Sequence, residues 1–129
     1  KNTMIDYKII NKVNPQDILA VQKFYAIKQP QETLNLRDFG KRISRESTVS
    51  MMDTMAVLEG LLQIIPDELT NGKIIKLGDF GTFRTTLSVE GAATEEEFTV
   101  ANIKKLNIRF RPDREFLNLL AGVKYRKIS

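Results

Sequence analysis

The chain has 129 residues, of which 42% are hydrophobic and 28% charged, and a net charge of +4; this size suits one domain with an extension. It contains neither cysteine nor histidine, which excludes a disulfide framework and a thiolate metal centre and removes the commonest metal ligand and general base. No apolar run is long enough to cross a bilayer and no signal-peptide pattern opens the chain, so a cytoplasmic location without membrane contact is expected. With Lys1 in place of an initiating Met, the chain is expected to begin inside its gene product.

The first element is a strand over Met4 to Lys12, with Ile5, Tyr7 and Ile9 on one face by period-two alternation. Asn14-Pro15 breaks it, and a second strand over Val21 to Lys28 closes at Gln29-Pro30-Gln31. Asn35, with Asp38 three residues on, caps a helix whose Leu36, Phe39 and Ile43 share one side. Ser50 and Asp53 form the next capping pair, opening a helix from Met51 to about Leu69. Its Met51, Met52, Met55, Leu58, Leu61 and Leu62 are candidates for core and subunit interface, because the helix is apolar on more than one side. Pro66 is expected to kink this helix or end it early, since proline lacks the amide proton and clashes with the preceding turn.

Asn71-Gly72 supplies a stop. Two strands come next, Lys73 to Leu77 and Thr82 to Ser88, around a corner at Gly78-Asp-Phe-Gly81 whose two glycines are expected to take backbone angles that other residues resist. A further strand over Lys104 to Arg111 sets Leu106, Ile108 and Phe110 on one face and Lys105, Asn107, Arg109 and Arg111 on the other. By the same alternation Arg84 opposes Phe83, Thr85 and Leu87, while Lys76 opposes Ile75 and Leu77.

Charge is unevenly distributed. Residues 102–129 hold eight bases against two acids, whereas residues 36–72 and 73–101 are each net −2 and residues 1–35 are net +2. A local basic cluster of this kind is the electrostatic footprint of a phosphate-binding face. The three basic strand sets are expected to share one surface. Lys76, Arg84, Lys105, Arg109 and Arg111, with Arg114 at the start of the following helix, are the candidate DNA-binding residues. The plainer alternative is a solvated sheet face.

Catalytic readings fail on context. Asp79-Phe80-Gly81 spells the kinase magnesium triplet, but no catalytic loop or Gly-rich phosphate loop precedes it. Gly40-Lys41 lacks the upstream glycine of a P-loop. No catalytic residues, metal ligands, cofactor or small-molecule substrate are expected.

The stretch Gly72-Lys-Ile-Ile-Lys-Leu-Gly-Asp-Phe-Gly-Thr-Phe83, followed by Phe110-Arg-Pro-Asp-Arg-Glu-Phe116, resembles the bacterial HU and integration host factor family in both order and spacing. The likeness runs from about Leu36 to Leu120. It implies an α+β fold: an intertwined dimer of two helices, a three-stranded antiparallel sheet and a short C-terminal helix per subunit. It also implies a nucleoid-associated role, with double-stranded DNA as partner and a homodimer or heterodimer as the working state. On this frame residues 1–34 are an added N-terminal β extension, 35–121 the HU-like domain and 122–129 a basic tail, and the two ends are suited to pair through Tyr7, Ile9, Val123 and Tyr125.

In HU-like proteins two basic β-arms, each tipped by a proline wedge, embrace the minor groove and kink the duplex. Here Ser88 to Ile103 has no Lys, Arg or Pro but carries Glu90, Glu95, Glu96 and Glu97. Phosphate would repel this segment, and Thr94 with Glu97 is a capping box for a short helical turn. The arm is therefore read as shortened and the DNA as held by the body without wedge kinking. The alternative is a structural or protein-interaction module that kept the fold and lost the DNA-binding arms.

Overall fold

A computed structural model describes residues 3–12, 16, 19 and 22–128. The chain divides into two compact units, one of residues 1–33 with 118–129 and the other of residues 34–117.

The second unit begins with α1, Leu36–Glu46, and α2, Met51–Thr70. Both starts are fixed by the residues expected to fix them. The Asn35 side chain accepts from the Asp38 amide at 3.0 Å while the Asp38 carboxylate accepts from the Asn35 amide at 2.8 Å, so two otherwise orphaned donors are satisfied reciprocally. Ser50 Oγ accepts from the Asp53 amide at 3.1 Å. The helices approach at Gly40, which is buried; a Cβ there would lie 2.5 Å from the Met55 sulfur. Thr54, buried on α2, donates its hydroxyl to the Ser50 carbonyl at 2.8 Å.

Pro66 does not end α2 early. The helix runs on through it to Thr70, because a proline removes one helical hydrogen bond but leaves the later amides free to continue the ladder. Thr70 Oγ1 donates to the Pro66 carbonyl at 2.9 Å, and Gly72, at φ +83°, turns the chain out of the helix.

Three consecutive strands come after it: β3 (Ile75–Leu77), β4 (Gly81–Val89) and β5 (Ile103–Pro112), antiparallel in the order β3-β4-β5. β3 starts two residues later than the alternation suggests. Lys73 is held back at the helix end, where its amide donates to the Glu68 carbonyl at 3.2 Å and its ammonium meets the Glu68 carboxylate at 2.9 Å. Of the two corner glycines only Gly78 has a left-handed backbone, at φ +49°. Gly81 is required for a different reason: a Cβ there would stand 2.5 Å from the Phe110 ring and 2.6 Å from the Arg111 carbonyl oxygen. The corner closes an aromatic cluster in which the Phe110 ring centroid lies 4.7 Å from Phe83 and 5.2 Å from Phe80, and Phe80 lies 5.4 Å from Phe116. Phe116 is on the closing helix α3, Arg114–Ala121.

In the first unit, β1 (Met4–Lys12) is the central strand of a second sheet, ordered β2-β1-β6. β2 (Lys23–Lys28) is antiparallel to it and β6 (Lys124–Lys127) is parallel. The two chain ends therefore pair, with Tyr7 and Tyr125 taking part as expected, whereas Ile9 pairs with Ala26 of β2 and Val123 precedes β6. The Asn14-Pro15 break and Val21, the expected start of β2, lie outside the described residues.

Among the described residues the only apolar side chain buried in the single chain is Leu69, 4% exposed. Met52 on α2 is 82% exposed and Ile108 on the apolar face of β5 is 60% exposed. A domain of this size normally buries most of such side chains.

Candidate nucleic-acid interface

The β4–β5 register decides which cations share a surface, because residues directly opposite in an antiparallel pair project to the same side. Thr82 faces Arg111, Arg84 faces Arg109, Thr86 faces Asn107 and Ser88 faces Lys105, while on the other edge Lys76 faces Thr82. Five of the six candidate residues, Lys76, Arg84, Lys105, Arg109 and Arg111, thus stand on one sheet face, and all are exposed. Arg114 lies beyond the sheet register at the first position of α3, also exposed.

This face has no acid on any of its strand positions. Arg84 and Arg109 are direct cross-strand partners, an arrangement that is unfavourable unless an anion is brought to it. Among the described residues the ion pairs are Arg42–Glu46, Lys73–Glu68, Lys104–Glu90 and Arg126–Asp6, so none of the six candidates is neutralised by a carboxylate of those residues. Between them, Thr82, Thr86, Ser88 and Asn107 add short polar groups that can donate to phosphate oxygens; Asn107 Nδ2 already donates to Ser88 Oγ at 2.6 Å.

The connection between β4 and β5 is of opposite character. The Glu90 amide donates to the Asn102 carbonyl at 2.8 Å and Asn102 Nδ2 donates back to the Glu90 carbonyl at 3.0 Å, cinching the loop at its root. The Thr94 hydroxyl accepts from the Glu97 amide at 3.2 Å, but Glu95, Glu96 and Glu97 form a hydrogen-bonded turn rather than a helix. The helical turn comes later, as a 3₁₀ segment over Val100–Asn102 capped by Thr99 and Asn102. Sequence reasoning missed that second box, since its partner is Asn rather than Glu or Gln. It also missed the Lys104 ammonium, 3.1 Å from Glu90, on the residue that the register shift between Ser88 and Val89 leaves without a partner on β4.

Among the described residues no group of three acidic side chains is placed to hold a metal ion, and no helix is long and apolar enough to cross a membrane.

Two helices, a three-stranded meander with one cationic face and a closing helix define an α+β domain of the HU-like class. Comparison with known proteins reaches the same class. A family described as "HU domain fused to wHTH, Ig, or Glycine-rich motif" matches residues 4–127, and the chain belongs to that family. It is 28% identical over 83 residues to the integration host factor alpha subunit of Rhodobacter capsulatus, covering 61% of this chain and 83% of that protein. The fold is also similar to a crystal structure from Bacteroides vulgatus, described provisionally as a bacterial DNA-binding protein, with a TM-score of 0.66 at 10% identity. That match takes in 99% of this chain, which spans about half (49%) of the solved one.

Proposed function

We propose that this chain is an architectural, nucleoid-associated DNA-binding protein of the HU type that holds the backbone of duplex DNA with little sequence preference and does no catalysis. The observation that carries this reading is the unneutralised cationic face of β3, β4 and β5, with Arg84 directly opposite Arg109. Such a face binds phosphates by releasing condensed counterions, a term that is blind to sequence. Lys76, Arg84, Lys105, Arg109, Arg111 and Arg114 are the residues that grip phosphate. The family and the integration host factor relative support the same partner.

The arm is shortened to the Glu-bearing loop after Val89, which offers phosphate four carboxylates and no proline. Kinking by a wedge is therefore not part of the mechanism. The working state is a dimer, homodimeric unless a related subunit is present. Apolar side chains such as Val57, Leu62 and Ile64 on α2 and Leu106 and Ile108 on β5 stand exposed in the single chain, and covering the apolar area they still expose contributes about 25 cal/mol per Å². The expected location is the cytoplasmic nucleoid.

Anisotropy of a labelled duplex of about 30 base pairs, titrated between about 50 and 200 mM salt, tests the reading. Binding that weakens steeply with salt and varies little with sequence supports it. Absence of binding at the lowest salt would turn the fold over to protein interaction, and a bending assay that finds a sharp kink centred on the 91–94 loop would restore the wedge.

A further inference from the structure

The terminal sheet has its own two-faced character. Residues Ile5, Tyr7 and Ile9 of β1 share a face with Phe24, Ala26 and Lys28 of β2 and with Tyr125 and Lys127 of β6. Ile5, Tyr7, Ala26, Lys28 and Tyr125 together line one open apolar pocket there. The opposite face carries Lys8 and Lys12 of β1, Lys23 of β2, and Lys124 and Arg126 of β6, around Ile10, Tyr25 and Ile27. Its one carboxylate among the described residues is Asp6, already engaged by Arg126, which donates to its two oxygens at 2.8 and 3.1 Å.

Four lysines of this face are thus left without an ion-pair partner among the described residues. Lys12 and Lys23 are direct cross-strand neighbours, a like-charge opposition that costs stability unless an anion bridges it. The arrangement parallels that of Arg84 and Arg109. Lys12 is also held, its ammonium 5.5 Å from the centre of the Tyr25 ring, so its position is less costly to fix on binding than that of a free lysine. All four lysines are exposed.

We infer that the Lys8, Lys12, Lys23 and Lys124 face of the terminal sheet is a second phosphate-binding surface for duplex DNA, separate from the face of β3, β4 and β5. This rests on the DNA-binding function proposed for the body. Charge complementarity selects the occupant: duplex DNA presents a continuous array of phosphate anions, and among the described residues no carboxylate pairs with these four lysines. Each lysine that meets a phosphate adds close to one to the dependence of log affinity on log salt concentration, about 0.9 for B-DNA.

The test uses the whole chain and the same labelled duplex, comparing wild type with Lys8→Ala/Lys12→Ala/Lys23→Ala/Lys124→Ala, with Lys28→Ala/Lys127→Ala on the opposite face, and with Arg84→Ala/Arg109→Ala. Thermal melting first shows that each variant folds. The fourfold variant is expected to lower the salt slope by about 2–4 and to weaken binding at least about tenfold at low salt, while the opposite-face pair leaves both unchanged. If the fourfold variant binds as wild type does while Arg84→Ala/Arg109→Ala weakens binding, the terminal surface is refuted and the body reading stands. Failure of the wild type to bind refutes both. Equal loss in the opposite-face pair refutes the assignment to this face in favour of total charge. Acetylation of the unaltered protein gives an independent readout. Duplex DNA is expected to protect Lys8, Lys12, Lys23 and Lys124 relative to Lys28 and Lys127, and uniform protection or none overturns the proposal.

Discussion

The two sheets have the same plan, three strands with one apolar and one cationic face, but they are assembled in different ways. In the body, β3, β4 and β5 follow one another in sequence and are locked at one corner by the ring cluster of Phe80, Phe83, Phe110 and Phe116. In the terminal sheet, β1 pairs with β6 from the other end of the chain, and the Asp6–Arg126 ion pair spans 120 positions. The first sheet is specified by neighbouring residues and packed rings. The second depends on the ends meeting, and its edges are held by main-chain bonds such as the Lys124 amide to the Thr3 carbonyl at 3.1 Å and the Ile128 amide to the Tyr7 carbonyl at 2.9 Å. Like-charged cross-strand pairs stand in both, which local packing does not call for and an external anion would.

The change expected to separate them most is Gly81→Val. Its side chain would collide with the Phe110 ring and, less forgivingly, with the Arg111 carbonyl oxygen, since a backbone atom cannot swing aside as a side chain can. A loss of about 3 kcal/mol or more is expected in urea unfolding, at the upper end of single substitutions. No strand of the terminal sheet contains glycine, so this mode of failure belongs to the body alone. Unfolding at wild-type denaturant concentration would mean the corner is looser than its ring packing implies.

Next in size is Arg84→Ala/Arg109→Ala/Arg111→Ala/Arg114→Ala. DNA affinity should fall about uniformly over unrelated sequences, and the salt slope by about 0.9 for each phosphate no longer neutralised. Stability should hold or rise slightly, because the Arg84–Arg109 repulsion is removed. A weakening confined to one sequence would replace backbone gripping with base readout.

A smaller effect sharpens the contrast within the body itself, between the cationic strands and the acidic loop they carry. Glu95→Gln/Glu96→Gln/Glu97→Gln removes three exposed negative charges and should tighten DNA binding several-fold at low salt and hardly at all above about 0.2 M, where charges separated by more than about 8 Å are screened. Unchanged affinity at low salt would place the loop away from DNA and leave it free for another partner.

Legibility in the sequence divides in the same way between local and distant order. Asn35 with Asp38 and Ser50 with Asp53 announce their helices because a cap joins residues three apart. Alternation along β4 and β5 suffices to gather Arg84, Arg109 and Arg111, since an antiparallel register carries same-face residues to same-face partners. Gly81 was legible as necessary but not why: its constraint comes from Phe110 and Arg111, nearly thirty residues on. The early end allowed for at Pro66 did not come, because a local rule about one missing amide does not weigh the hydrogen bonds that continue past it. The Asp6–Arg126 pair had no local signal. Tyr7 and Tyr125 hinted that the ends meet, but only the parallel register with Tyr125 opposite Ile5 brings Arg126 beside Asp6.

That pair gives the smallest predicted effect and the one most confined to the terminal sheet. Hydrogen bonds from Arg126, and its positive charge, hold the Asp6 carboxyl below its ordinary value of 3.8 against a desolvation that pushes it upward, with a weaker bond from Gln31 at 3.4 Å adding to them. The folded-state value is the depressed one, so the stabilisation is fully present above the ordinary carboxylate value and is lost as pH falls through the depressed value. Hydrogen exchange at the Lys124 and Ile128 amides, corrected for intrinsic rates, should therefore lose protection on acidification below about pH 4 in the wild type. In Asp6→Asn the protection should already be reduced at neutral pH and stay flat over that range. The amides of β4 and β5 should not respond in either protein. If they loosen over the same pH range, the two sheets unfold as one cooperative block and the acid sensitivity is not confined to the terminal sheet.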